Sequence, residues 1–345
     1  MKTLHISQDA SHSSEVLCRA ADILRRGGLV VFPTETVYGL GGDATSAASS
    51  QKIYAAKGRP SDNPLIIHIA HPEDAARYAY VCPTYERLAK AFMPGPLTVI
   101  LPKRDIVPPE TTGGLDSVAV RCPSHPVARA LIEACGVAIA APSANRSGKP
   151  SPTCAAHVAD DMDGLVDMII DGGECDIGLE STIVRIDGED AVTLLRPGAI
   201  TYDALCMVVS HVTIASAVLE KLAENERPLS PGMKYRHYAP DAPLVLLDGE
   251  REDVLAFLCE EQKSKQCAVL CYDEEVSSLE SAMLYPVGRA DDIAAQAKVL
   301  FRHLRDADRA SPDVIYAHLP PREGLGLALY NRMIRAAAFA VRRIP

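Results

Sequence analysis

The chain turns sharply at Lys57-Gly58-Arg59-Pro60-Ser61-Asp62-Asn63-Pro64, between a helical stretch and the apolar run Leu65-Ile66-Ile67-His68-Ile69. The glycine can adopt a positive φ at little cost, and the two prolines prevent the helix from continuing. Two interpretations follow. Either Lys57 and Arg59 project from a rigid basic loop that suits a polyphosphate, or the segment is a helix C-cap with Lys57 near the negative end of the helix dipole. The segment alone favours neither.

Length and composition limit the possible classes of protein. A chain of 345 residues is long enough for two domains that each bury a core. Its formal net charge of −10 disfavours broad binding to nucleic acid, so we expect no stable nucleic-acid partner. The ten cysteines include no C-x-x-C pair, which is typical of reduced thiols. No apolar run approaches the roughly 20 residues that span a bilayer, so we expect no membrane attachment and a cytoplasmic location.

The first half of the chain alternates helical and strand-like patterns. Apolar residues from Glu15 to Arg26 recur at helical spacing, and Gly27-Gly28 closes the helix. The strand-like run 29–32 follows, and 33–42 then has the composition of a loop at the carboxyl end of that strand, where α/β proteins bind ligands. Further strand-like runs alternate with helices and predict a mixed α/β domain. These runs are 65–69, 97–101, 118–120 and 137–141.

The second half predicts the end of this domain, a linker and a smaller domain. Segments 178–185 and 192–198 are typical of two strands that flank a turn at Asp187-Gly188, and we place the end of the first domain at residue 210. Prolines in 211–241 indicate an extended linker. Residues 242–345 alternate apolar runs and helices, which predicts a small parallel α/β domain.

Several common catalytic motifs are absent from the sequence. There is no G-x-x-x-x-G-K-[ST] loop, G-x-S-x-G elbow or H-E-x-x-H pair. His68 and His71 form a pair without a clear third ligand, so we assign no metal site. Cys122 and His125 are close in sequence, but a nucleophile pair would require proof of proximity in space.

Four cations fall at loops or strand ends. They are Lys57, Arg59, Arg121 and Arg196, and polar loops lie at 34–38 and 143–145. Phosphoryl or nucleotidyl transfer asks a protein mainly for positioning and charge neutralisation. The set therefore favours that chemistry, although each arginine alone would more often be a surface residue.

Three motifs together carry a resemblance to a known family. They are Lys57-x-Arg59 with Ser143-x-Asn145, the opening loop from Pro33 to Leu40, and the Pro-rich linker from Ser230 to Pro240. With these motifs the chain resembles the YrdC-like threonylcarbamoyl-AMP synthases, in the two-domain form. The resemblance implies a twisted mixed sheet with a concave active-site surface in residues 1–210. It also implies a linker that acts as a lid in 211–241 and a Rossmann-like parallel α/β domain in 242–345.

The resemblance also implies a reaction. L-Threonine, bicarbonate or carbon dioxide, and ATP would give threonylcarbamoyl-AMP and pyrophosphate. Other proteins, the tRNA threonylcarbamoyl-transferases, would then use the product to modify the adenosine beside the anticodon of tRNA. Mg²⁺ is expected with ATP, with no dedicated set of protein ligands.

Site residues follow from the resemblance, position by position. The catalytic set would be Lys57, Arg59, Ser143 and Asn145. The same four residues would bind ATP together with Asn63, Ser151, Arg196 and Tyr235. Threonine would be held by Thr36, His68, Arg121, Ser143 and Ser181.

Two alternatives belong to other classes. The first is a non-catalytic RNA-binding module on a YrdC-like fold, which the acidic net charge disfavours. The second is a carbamoyl-transfer enzyme of hydrogenase maturation, a family that carries zinc-finger segments. No matching cysteine pairs occur in this sequence.

Overall fold

A computed structural model describes residues 2–220, 238–280 and 283–345. The chain divides into two compact units. The larger unit is built around an 11-stranded sheet and the smaller unit around a 5-stranded sheet. Both units alternate helices and strands, as the sequence predicts.

The larger unit contains strands β1 to β11 and helices α1 to α7. The strands are β1 (Leu4–Ile6), β2 (Val30–Phe32), β3 (Gly39–Asp43), β4 (Ile66–His68), β5 (Leu97–Pro102), β6 (Ser117–Arg121), β7 (Ile139–Ala140), β8 (Met168–Ile170), β9 (Thr182–Gly188), β10 (Ala191–Arg196) and β11 (His211–Ile214). The helices are α1 (Ser14–Arg25), α2 (Ala47–Lys57), α3 (Ala75–Tyr78), α4 (Pro83–Phe92), α5 (Pro126–Cys135), α6 (Ala155–Met162) and α7 (Tyr202–Cys206).

Strand β3 corrects the sequence prediction. Residues 33–42 have the composition of a loop, but from Gly39 the chain forms a strand that pairs antiparallel with β2. Glycine is normally unfavourable inside a strand. Here it is required by close packing, because a Cβ on Gly41 would lie 2.8 Å from side-chain atoms of both Ile139 and Phe32.

The register of the central strands places polar residues side by side. The sheet order is β1-β8-β2-β3-β7-β4-β6-β5-β9-β10-β11. His68 on β4 is paired with Arg121 on β6, and Arg121 is paired in turn with Thr98 on β5. The side chains of paired residues project from the same face of a sheet, and those of their neighbours in the chain project from the other face. The neighbours Ile67 and Val120 belong to the main hydrophobic core. His68, Arg121 and Thr98 therefore project from the opposite face, which they share with a smaller hydrophobic cluster that includes Ile66 and Ala119.

The first sheet continues beyond the predicted domain boundary at residue 210. Strand β11 pairs parallel with β10, with His211 opposite Ala191. The predicted linker, 211–241, thus begins with a strand of the first sheet. The sequence did not indicate this strand because it is short and three of its four residues are exposed. Residues 221–237 of the predicted linker lie outside the described residues.

The smaller unit has the parallel sheet that the sequence predicts. Its strands are β12 (Leu244–Asp248), β13 (Cys267–Cys271), β14 (Leu284–Pro286), β15 (Val314–His318) and β16 (Val341–Arg343), in the order β14-β13-β15-β12-β16. Every pairing between these strands is parallel. The helices are α8 (Arg251–Glu261), α9 (Ile293–Arg309) and α10 (Gly326–Ala336).

Glu275 of the smaller unit is fully buried, and its Oε2 lies 3.1 Å from Nε2 of His318. In the parts of the chain that the structure describes, we find no helix with both the length and the apolarity needed to span a bilayer.

Candidate active site

Lys57 is buried at the end of α2 and does not project from a loop. Ser46 caps the start of this helix by accepting from the Ser49 amide, and Gly58 ends it in the left-handed conformation at φ 61°. The C-cap interpretation of this segment is therefore confirmed. Lys57 is only 4% exposed, so the expectation of a projecting lysine is wrong. From the end of the helix, the Lys57 side chain extends into the protein, where backbone oxygens accept hydrogen bonds from its ammonium group.

The acceptors of Lys57 lie in the loop that carries the S-x-N motif. Its Nζ donates to the backbone oxygen of Ser143, to that of Asn145 at 2.6 Å and to Asn145 Oδ1 at 3.3 Å. Ser143 Oγ also donates to Asn145 Oδ1 at 2.5 Å. The loop is joined to the opening loop as well, because the Ala144 amide donates to the Tyr38 carbonyl at 2.8 Å. The K-x-R and S-x-N motifs, 86 residues apart at Lys57 and Ser143, thus meet in one place.

Arg59 is half-buried and folds back on its own turn. Its Nη2 donates to the carbonyls of Asn63 at 3.2 Å and Pro64 at 3.0 Å. The Tyr54 hydroxyl donates to the same Asn63 carbonyl at 3.0 Å, and burial raises the pKa of Tyr54 to about 12. Asn63 is buried, and its side-chain Oδ1 has no hydrogen-bond partner among the described residues. These hydrogen bonds fasten the Arg59 side chain to the backbone of the turn.

Arg121 forms a buried ion pair with Glu35. The distance from Arg121 Nη2 to Glu35 Oε1 is 2.6 Å, and the two side chains are 5% and 6% exposed. Glu35 Oε2 also accepts from the Ser124 amide at 3.2 Å. Sequence reasoning missed Glu35, although an acid in a loop after a buried strand was a signal that could have pointed to it.

His68 lies beside Arg121 and is neutral. Burial, and then the positive charge of Arg121, lower the pKa of His68 to about 3. Its ring is nearly perpendicular to that of Phe32, and the two ring centroids are 6.1 Å apart. Two polar atoms in this pair have no hydrogen-bond partner among the described residues: Nδ1 of His68 and Nε of Arg121.

A chain of hydrogen bonds connects Arg196 to Thr98. Arg196 donates from Nη2 to Ser181 Oγ at 3.1 Å and from Nε to the Ser181 carbonyl at 3.0 Å. Ser181 Oγ lies 2.7 Å from Thr98 Oγ1. Thr98 was not predicted as a site residue, yet it is paired with Arg121 across the sheet. It thereby links a residue expected to bind ATP with residues expected to bind threonine.

Thr36 and Ser151 have partners of their own. Thr36 Oγ1 lies 2.9 Å from Thr34 Oγ1, and Thr34 also donates to the Val37 carbonyl at 2.6 Å, so the opening loop is held by its own hydroxyls. Ser151 donates to Glu180 at 2.5 Å, a buried carboxylate that sequence reasoning did not include. Tyr235, the remaining predicted ATP contact, lies outside the described residues.

Comparisons with known proteins identify the family. The family model described as "Telomere recombination" matches residues 22–198, and the model described as "Threonylcarbamoyl-AMP synthase, C-terminal domain" matches residues 200–338. Threonylcarbamoyl-AMP synthase of Bacillus subtilis is 42% identical over 98% of this chain and 97% of its own length. The Pyrococcus abyssi protein of the same name is 44% identical over 94% of this chain and 95% of its own. The chain belongs to the threonylcarbamoyl-AMP synthase family.

Similarity to solved structures agrees with this family assignment. A crystal structure of P. abyssi Sua5 complexed with L-threonine superposes with a TM-score of 0.89, at 40% identity, over 100% of both chains. The predicted fold class, a large mixed sheet with a second parallel α/β domain, is confirmed. As a member of the threonylcarbamoyl-AMP synthase family, the chain is a nucleotidyltransferase-type enzyme.

Two other candidate groups have structural partners. Cys122 donates to the Ala70 carbonyl at 3.3 Å, and burial raises its pKa to about 12. His125 caps α5 by accepting from the Val127 amide. Neither is arranged as a nucleophile or its base in this member of the threonylcarbamoyl-AMP synthase family. Among the described residues, no three His, Cys, Asp or Glu side chains cluster in a way that could hold a metal ion.

Proposed function

We propose that this enzyme makes L-threonylcarbamoyl-AMP and pyrophosphate from L-threonine, bicarbonate and ATP. The observation that carries the proposal is the attachment of Lys57 to the loop from Ser143 to Asn145, which brings the two signature motifs together at a buried position. The curated relatives bear the name of this synthase, and one solved relative is complexed with L-threonine.

The chemistry proceeds in two balanced stages. Bicarbonate takes up one proton and loses water to give carbon dioxide. The neutral amine of threonine then adds to the carbon of carbon dioxide and releases one proton, which leaves a carbamate. A carbamate oxygen then attacks the α-phosphorus of ATP. The bond between the α-phosphorus and the oxygen that bridges to the β-phosphorus breaks, and pyrophosphate leaves. The protein supplies position and charge for this transfer.

The ATP part of the site rests on fixed cations. The backbone oxygens of Ser143 and Asn145, together with Asn145 Oδ1, accept from Lys57 and orient its ammonium group. We assign Lys57, Arg59 and Arg196 to the phosphates. Asn63, Ser143, Asn145 and Ser151 would complete the ATP site as hydrogen-bonding groups, with Tyr235 contributed by the linker.

The threonine part rests on Arg121 and its neighbours. A guanidinium group can hold a carboxylate by paired hydrogen bonds. The hydroxyls of Thr36, Ser143 and Ser181, with neutral His68, would receive the polar remainder of the amino acid. A site built to bond a hydroxyl rejects an analogue that lacks it, so valine should be a very poor substrate.

Mg²⁺, the lid and the downstream step remain predictions. Mg²⁺ would enter the site with ATP, and we assign it no dedicated set of protein ligands. The linker would close over the substrates and exclude water from the reactive mixed anhydride, and the product would pass to the proteins that modify tRNA. We further propose that residues up to about 210 form the catalytic domain, although β11 extends its sheet.

Pyrophosphate release by the full-length protein tests the proposed function. We expect release from ATP only when threonine and bicarbonate are both present, and little release when valine replaces threonine. Release that does not require threonine would contradict the proposal, as would no release at all.

A further inference from the structure

Glu35 ties together two parts of the larger unit that the sheet keeps apart. It lies in the loop after β2, whereas Arg121 ends β6, and three strands (β3, β7 and β4) separate β2 from β6 in the sheet. One carboxylate oxygen of Glu35 accepts from Arg121 and the other from the Ser124 amide. Both oxygens thus hold the segment on which Arg121 lies.

The ion pair leaves specific groups of the neighbouring side chains without partners. Arg121 uses Nη2 for Glu35, and its Nε–H has no hydrogen-bond partner among the described residues. Nδ1 of His68, on the adjacent strand in register with Arg121, has none either. Both side chains are more than nine-tenths buried. Buried polar groups are normally satisfied, so two neighbouring exceptions indicate a place where a ligand completes the hydrogen bonding.

We propose that Glu35 is a positioning residue for the amino-acid substrate, holding Arg121 so that its Nε–H and the ring of His68 are directed at the substrate carboxylate. The inference rests on the proposed function for the identity of that substrate. A zwitterionic amino acid has no net charge, so the negative charge of Glu35 has little overall effect on its approach. Loss of Glu35 should therefore affect substrate binding mainly by changing the orientation of Arg121.

A purely structural ion pair would behave differently. It would contribute to folding, but it would not require the Arg121 Nε–H to stay without a partner. A buried donor without a partner lowers the stability of the folded state. The two roles separate in their effect on substrate binding. A structural role lowers stability and leaves the affinity for threonine unchanged, whereas a positioning role lowers that affinity selectively.

The test compares Glu35→Gln, Glu35→Asp and a matched control, Glu275→Gln, in the full-length protein. Gln keeps the shape but removes the charge, and Asp keeps the charge with a shorter reach. Glu275 is a fully buried carboxylate beside His318 in the smaller unit. The Kd for L-threonine is measured by calorimetry without ATP, and KM for ATP and for threonine by pyrophosphate release.

We expect Glu35→Gln to weaken threonine binding about 10-fold or more and to change KM for ATP by less than about 2-fold. Glu35→Asp should restore part of the loss, and Glu275→Gln should lower the melting temperature without changing the Kd for threonine. An unchanged or tighter Kd in Glu35→Gln would overturn the inference, and so would an equal loss in Glu275→Gln. If Glu35→Gln does not fold, Glu35→Asp decides by the same selective loss or its absence.

Failure of this inference can be told apart from failure of the proposed function. The calorimetric readout requires no turnover. If the wild-type protein binds threonine but makes no pyrophosphate, the proposed reaction fails while the effect of Glu35 on binding is still measured. If the wild-type protein does not bind threonine at all, the inference is overturned together with the substrate assignment.

Discussion

Lys57 Nζ donates to the backbone oxygen of Asn145 over 2.6 Å, and so joins the end of α2 to the loop that carries the second signature motif. The lysine therefore has two tasks. It supports the loop through the three hydrogen bonds described above, and it presents a positive charge in the proposed phosphate site. Stability and turnover should both depend on it.

Replacing Lys57 with methionine tests these two tasks. Met keeps most of the apolar stem but leaves buried oxygens without their donor, so we expect a loss of about 1–3 kcal/mol in the free energy of unfolding. We also expect a fall in turnover on the order of 100-fold. Urea denaturation and pyrophosphate release measure the two effects.

Lys52→Met on the same helix is the control. Lys52 is exposed, and it donates to the Gly27 carbonyl at 2.6 Å. This substitution should change stability by less than about 0.5 kcal/mol and leave turnover normal. Equal effects of the two substitutions would remove the special role of Lys57.

Gly58→Ala isolates the cost of the left-handed helix cap. A Cβ at this position meets no atom within 4 Å, so the φ of +61° is the sole source of strain. We expect a loss of about 1–2 kcal/mol in thermal or urea unfolding. Gly188→Ala is the control, because it also has open space but no positive φ, and it should be close to neutral.

His68 should make stability depend on pH. Its pKa is lowered to about 3 in the folded state, from an ordinary value of 6.5. The folded protein therefore binds fewer protons than the unfolded chain between these values, and stability falls as pH drops below about 6.5, by at most about 1.4 kcal/mol per pH unit. Urea denaturation of the wild type and of His68→Asn, at about pH 7.5 and about pH 5, would measure this change in the free energy of unfolding.

The variant should be less stable at both pH values but should lose less on acidification. His125 and His303 also have lowered pKa values because of burial, and they contribute equally to both proteins. Identical pH dependence of the two proteins would show that His68 is not held neutral.

Arg121→Lys tests the assignment of the threonine carboxylate. Lysine can pair with Glu35 but cannot offer the planar fork of a guanidinium group. We expect KM for threonine to rise more than KM for ATP, in the pyrophosphate assay. Arg129→Lys, a half-buried arginine that donates to the Ala70 carbonyl at 3.3 Å, is the control and should leave both KM values unchanged.

The sequence predicted those parts of the fold that have a periodic pattern. Helix α1 buries Leu17, Ala20, Ala21 and Leu24 as its spacing indicates, and it ends at Arg25, just before the predicted glycines. The glycine-rich strand β3 and the short edge strand β11 could not be predicted in this way, because packing and pairing create them against their composition.

The site residues could be predicted from sequence motifs, but the contacts between them could not. Lys57 and Ser143 are 86 residues apart in sequence, as are Glu35 and Arg121. Only the folded chain brings such pairs together, so local reasoning left Lys57 exposed and omitted Glu35. The same limit applies to Thr98 and Glu180, which have no local motif and acquire their positions from neighbouring strands and loops.

The most direct test of the account follows the carbon of bicarbonate. Full-length protein is incubated with ATP, L-threonine and isotope-labelled bicarbonate, and the nucleotide products are resolved by mass spectrometry. We expect an adenylate that carries both the label and the mass of threonine, formed together with an equal amount of pyrophosphate. An adenylate of threonine without the labelled carbon, or pyrophosphate release with no labelled adenylate, would contradict it.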